Sequence, residues 1–131
     1  MSTWARSFGQ AKTNIERRMN LVARKVALDA FGRVINRTPV DTGRARGSWG
    51  VAIGAPVPGP HDAPGQTALA QARRMTDALQ AGQSIFMASN LPYILPLERG
   101  WSGQAPQGMV AITENEFRPI LDAAIREARR A

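Results

Sequence analysis

Apolar positions recur by threes and fours from Thr3 or Gln10 to Arg37, and Ile15, Met19, Val22, Ala23, Val26, Ala30 and Val34 fall on one face of a single long helix. That face is expected to pack on a sheet. Arg17, Arg18, Arg24 and Lys25 project to the opposite side, where Leu21, Leu28 and Phe31 are interleaved with them. A helix that is apolar on two sides usually has two neighbours. Either these three residues widen the core stripe, or they meet another chain.

Pro39 lacks an N–H and pushes Thr38 out of the helical region, so the helix is expected to end at or before Arg37. Asp41 and Thr42 suit a turn, and Gly43 supplies positive φ if the turn requires it. After this corner Trp49, Val51 and Ile53 recur at period two, which predicts a strand from about Arg46 to Gly54. The stretch from Ala55 to Gly65, with Pro56, Pro58, Pro60 and Pro64, sustains neither a helix nor a central strand and reads as a loop.

Leu69, Ala72, Met75, Ala78 and Leu79 predict a helix from Gln66 to about Ala81, with Gly82 as its stop. Residues 83–90 contain Ile85, Phe86 and Met87 and read as a strand in the middle of the sheet. Pro92, Pro96 and the turn-rich run from Arg99 to Gly103 mark an irregular crossing or edge. Met109 to Ile112 suits a last strand. Thr113 and Glu116 fit a capping box ahead of a final helix, whose apolar face holds Phe117, Ile120, Leu121, Ala124, Ile125 and Ala128. Pro119 is tolerated in the first turn of that helix, and Arg126, Arg129 and Arg130 favour its last.

The expected architecture is a single α+β domain spanning residues 1–131. A long N-terminal helix and a C-terminal helix pack on a small, mainly antiparallel sheet, with one further helix inserted between strands. In order the segments are a helix (1–37), a corner and strand (38–54), a Pro/Gly loop (55–65), a helix (66–82), strands with the irregular crossing (83–113) and a C-terminal helix (114–131).

Composition narrows the chemistry. The 131 residues suffice for one modest core and hold no cysteine, which removes disulfides, thiolate metal sites and thiol nucleophiles. No basic region followed by an apolar run opens the chain, and no apolar run approaches the roughly 20 residues that span a bilayer, so a soluble, unexported protein is expected. Residues 1–50 carry ten basic and three acidic side chains and residues 51–131 seven of each, so the whole +7 excess sits on the first helix and its corner. Such an asymmetry suits nucleic acid or an acidic partner surface equally.

The single histidine, His61, stands beside Asp62 in the proline-rich loop without a partner cluster and reads as a surface pair. Glu98 lacks the second carboxylate, histidine or metal cluster that acid catalysis requires, and a salt bridge or hydrogen bond to the adjoining turn is the better reading. Neither a phosphate-cradling loop nor a nucleophile elbow occurs, and catalysis is not expected. The rival to a structural role is a basic nucleic-acid-binding module using the N-terminal helix. Leu21 and Leu28 interrupt its basic face, and no helix-turn-helix, zinc or RNA-binding signature accompanies it.

An ordered set of short motifs adds to this. Thr38-Pro39-Val40-Asp41-Thr42-Gly43-Arg44 followed by Ser48-Trp49, then Ser89-Asn90-Leu91-Pro92-Tyr93-Ile94, Leu97-Glu98-Arg99-Gly100 and Ala105-Pro106-Gln107-Gly108-Met109-Val110, resembles the tail-completion and minor tail proteins of long-tailed bacteriophages. The resemblance runs from about Thr38 to the final helix. It departs at 55–65, which is longer and richer in proline than the family's minimal loop.

The resemblance implies a virion protein assembled in the bacterial cytoplasm: a homo-oligomeric ring, hexameric by that resemblance, at the head-proximal end of the tail. Its partners would be the tail tube protein and the head–tail connector or stopper, with no cofactor and no membrane, and passing DNA as a non-specific contact. On this reading Leu21, Leu28 and Phe31, rimmed by Arg17 and Arg24, form the subunit contact. Pro39, Asp41, Gly43, Arg44 and Glu98 form a structural corner, with Arg44 as a candidate partner for Glu98. The loops bearing Pro56, Pro58, Pro60, His61 and Trp101 reach the axial partners. The family includes both tail terminators and other minor tail components, and the sequence does not separate them.

Overall fold

Thirty-five residues of uninterrupted helix, α1 (Thr3–Arg37), form the spine of the molecule. The structure, a computed structural model, describes residues 3–39, 44–60 and 64–130, the Arg44 side chain excepted. The expectations for Asp41, Gly43 and His61, and for a pairing of the Arg44 side chain with Glu98, lie outside the described residues. The helix stops where proline dictates: Thr38 N–H bonds to Val34 and Ile35 carbonyls at 3.1 Å, and Pro39 has no N–H to continue the ladder.

The corner differs from expectation in one element. Arg44 to Gly47 forms a helical turn, α2 (Arg44–Gly47), so the first strand begins only at Gly50. The reason is a capping job for Arg46, whose Nε donates to Thr38 O at 2.7 Å and whose Nη2 donates to Asn36 O at 2.7 Å. A helical turn brings that guanidinium back onto the carbonyls left open at the end of α1, where a cation is also favoured by the helix dipole.

Strand β1 (Gly50–Ile53) pairs antiparallel with β2 (Ile85–Ala88), Gly50 opposite Ala88 and Ile53 opposite Ile85. These two make the whole sheet among the described residues, so β2 is an edge strand rather than the sheet's centre. Between them in the chain runs α3 (Gly65–Ala78), which packs on α1 and β1. Its Gln71 Oε1 accepts the Val51 N–H at 3.0 Å, serving the edge of β1 that a further strand would otherwise serve. The helix ends three residues earlier than expected, because Leu79 turns extended and buries itself, and Gly82, at φ 95°, makes the later turn.

Beyond β2 come α4 (Ile94–Glu98), α5 (Val110–Asn115) and α6 (Phe117–Arg130). Met109 to Ile112, expected as a strand, instead leads into and forms α5. Gly108 turns the chain at φ 81°, and the Glu98 carboxylate receives the N–H groups of Met109, Val110 and Ala111, each at 2.9 Å. An acceptor for three successive N–H groups favours the start of a helix over a strand. The capping box is also absent, since Thr113 lies inside α5 with its hydroxyl donating to Met109 O at 2.7 Å. Pro119 falls in the first turn of α6 as expected.

The architecture is α+β, with a long N-terminal helix, a C-terminal helix, a two-stranded antiparallel sheet and α3 inserted between the strands. Val34, Ile35, Trp49, Val51, Ala68, Ala72, Ala105 and Met109 form the core, at the C-terminal end of α1. α6 packs mainly along α1, with Ile120, Ala124 and Ala128 buried.

Candidate functional site

The described residues of the motifs that carry the resemblance meet near the C-terminal end of α1, and there they tie the fold together. Thr38 is fully buried, and its Oγ1 donates to Val34 O at 2.7 Å while accepting Trp49 Nε1 at 2.9 Å. Ser48 Oγ donates to Ala45 O at 2.7 Å and lies 2.7 Å from Ser89 Oγ, which joins the corner to the end of β2. The Glu98 carboxyl is pushed up by burial, but the three backbone N–H bonds outweigh this and hold it below the ordinary carboxylate range. Pro39, Leu91, Ala105 and Met109 are buried beside them.

A second polar cluster fastens α5 and α6 to α1. Glu116 Oε2 accepts Arg37 Nη2 at 2.8 Å and lies 3.2 Å from Arg33 Nη1, and Arg37 Nη1 also donates to Thr113 Oγ1 at 3.0 Å. The Glu116 carboxyl is lowered to about 2, first by the Arg37 hydrogen bond, with burial opposing and Arg33 adding. The sequence reading missed this pairing because it gave Glu116 to a helix cap. The spacing of Arg33 and Arg37, one turn apart on α1, was the available signal.

The apolar faces of α1 are distributed unlike the expectation. Leu21 and Leu28 are half-buried and line a cleft with Asp77 of α3 and Ala124 and Glu127 of α6, so part of their surface is covered within the chain and part stays open to another. Arg24 Nε donates to Leu79 O at 2.6 Å, and Phe31 packs against the core. Arg17 is exposed. By contrast Ile15 and Met19, assigned to the core stripe, are 58% and 54% exposed. The reason is length: α1 outruns the elements that pack on it, and residues 3–19 are exposed apart from Ala5.

What lies open is a continuous apolar surface. Trp4 and Phe8, 75% and 71% exposed, lead along the helix to Ile15 and Met19. These line a groove of about 850 Å³ that also takes in Val22, Val26 and Ala30 of α1, Phe117, Leu121 and Ile125 of α6, and Leu79 and Ile85. Arg18 and Arg129 are its charged residues. The sequence carried a sign of it. α6 has two apolar rows: Ile120, Ala124 and Ala128 are buried, while Phe117 is exposed and Leu121 and Ile125 stay half-buried along the groove.

The loops proposed for axial contacts differ in freedom. Trp101 is exposed, as are Pro56, Pro58 and Pro60. The proline-rich segment is nonetheless pinned, with Gly59 N–H donating to Ser48 O at 2.9 Å, and a Cβ on Gly50 would meet Val57 O at 2.1 Å. Removing the segment would therefore disturb β1 itself, so point substitutions probe it better than deletion.

Among the described residues no group of three or more His, Cys, Asp and Glu is placed to hold a metal ion, and no helix is long and apolar enough to cross a membrane. In comparisons with known proteins no family model matches the chain, and neither a curated protein nor a solved structure does.

Proposed function

We propose that this chain is a structural subunit of a tailed phage or phage-like particle. It forms a homo-oligomeric ring at the head-proximal end of the tail that completes the tail and joins it to the head connector. It acts by assembly and not by catalysis. The observation that carries this reading is the apolar surface running from Trp4 through Phe8, Ile15 and Met19 into the α1–α6 groove, since contiguous apolar patches of this extent mark interaction sites. The ordered motifs from Thr38 to Val110 supply the particular class, and the buried hydrogen bonds of Thr38, Ser48 and Trp49 suit a scaffold that presents surfaces to partners. The tail tube protein and the head–tail connector are the partners this reading names, with Trp101 and the loop of Pro56, Pro58 and Pro60 as axial contacts. The particle's tail or neck is its location.

Electron microscopy of the purified protein, alone and mixed with tail tubes, tests it. Rings that cap one end of the tubes are expected. Trp101→Ala is expected to leave ring formation unchanged and to reduce tube binding at least tenfold.

A nucleic-acid-binding module is the second reading, favoured by one observation: Arg6, Lys12, Arg17 and Arg18 all lie on the exposed part of α1. A monomer that binds DNA with an affinity falling steeply with salt would select it.

A further inference from the structure

We infer that the α1–α6 groove is occupied by the exposed N-terminal part of α1 from a second copy of this chain, with Trp4 and Phe8 as the inserted side chains. The inference rests on the self-association in the proposed function and names the contact that produces it.

Among the described residues the molecule displays both halves of such a contact, an exposed apolar helix segment and a part-open apolar groove. One half is a helix segment of residues 3–19, about 25 Å long at 1.5 Å per residue, whose large apolar side chains Trp4, Phe8, Ile15 and Met19 are exposed, the last two at the mouth of the groove. A helix of that length in water draws its stability from a packed apolar face, which this one lacks in a single copy. The other half is a trough walled by two helices, with Val22 and Val26 facing Leu121 and Ile125. That is the form of site that accepts an amphipathic helix.

A single copy cannot satisfy itself. α1 is one continuous helix, so Trp4 and Phe8 point away along the same rod that walls the groove, about 10 to 16 Å beyond Ile15. A second copy offers the two halves in equal number. Half the circumference of a helix of about 10 Å diameter, over about 25 Å, is about 400 Å². Each copy gives one such stripe and covers one such groove, so about 800 Å² of every copy leaves water: a reciprocal pair gathers it into one contact with the footprint of a stable complex, and a ring divides it between two contacts of about 400 Å² per partner.

The chain has no cysteine, so cross-links report the contact without background. Full-length chains carrying Phe8→Cys alone and Ile125→Cys alone would be mixed and oxidised, and the mixed disulfide pair measured against each chain alone and against a mixture of Phe8→Cys with Thr67→Cys. The expected result is at least a tenfold excess of the Phe8–Ile125 pair. In parallel, Phe8→Asp, at an exposed position, is expected to bring the mass down to that of one chain and to lose no more helical circular dichroism than residues 3–19 supply. An oligomer that survives Phe8→Asp and yields no excess cross-link overturns this contact and leaves the ring standing. A closed pair with the cross-link upholds the contact and overturns the ring. A parent chain that stays monomeric at every concentration overturns both.

Discussion

Thr38 and Glu116 show how single side chains tie the C-terminal end of α1 to the rest of the chain. The Thr38 hydroxyl lies between Val34 O and Trp49 Nε1 in a fully buried position. Thr38→Val keeps the shape, removes the acceptor and leaves the indole N–H unpaired, which costs about 1–3 kcal/mol. Urea unfolding should show that loss with an unchanged slope. Glu116 makes a pH-dependent contribution. Its carboxyl is lowered from 4.5 to about 2 in the fold, so its stabilisation is complete above the ordinary value and is lost as pH falls from about 4.5 towards 2. Melting temperature measured across that range should fall for the parent. The fall should be shallower for Glu116→Gln, whose side chain does not titrate.

Among the elements, α5 is the one whose existence depends on a distant residue. Its six residues are too few to form a stable helix alone, and the Glu98 carboxylate, reaching across from the end of α4, binds the N–H groups that start it. Glu98→Ala should cost about 2 kcal/mol by the usual worth of charge-assisted hydrogen bonds, and slow-exchanging amides of Val110 and Ala111 should become fast in hydrogen exchange. This residue also marks the limit of what periodicity can show. The long pattern of α1, the stop at Pro39, the apolar face of α6 and the α+β class were all legible, because repeats of three and four and a missing N–H act locally. The turn at Arg44–Gly47 and the helical state of Val110–Ile112 were not, because each follows from a side-chain contact 8 to 13 residues along the chain, beyond the reach of a repeat: Arg46 to the end of α1, Glu98 to the start of α5. For the surface, sequence placed two apolar sides on α1 but could not say which one another element of the chain would cover.

Taken as a whole, the molecule concentrates its core at the C-terminal end of α1 and leaves the N-terminal end bare, apolar and basic. Copies that each carry +7 repel one another, and Arg18 and Arg129 lie at the groove itself. Screening that repulsion strengthens self-association, so the midpoint concentration for assembly should fall between about 50 and 500 mM salt. Nucleic-acid binding would show the opposite slope, because release of counterions from phosphates weakens it as salt rises. The measurement that tests the account most directly is therefore the mass of the full-length protein by sedimentation equilibrium at high salt, over a hundredfold range of concentration. A closed oligomer of defined size that Phe8→Asp reduces to single chains is the predicted result. A parent that sediments as one chain throughout, with Trp4, Phe8 and the groove left in water, would contradict it.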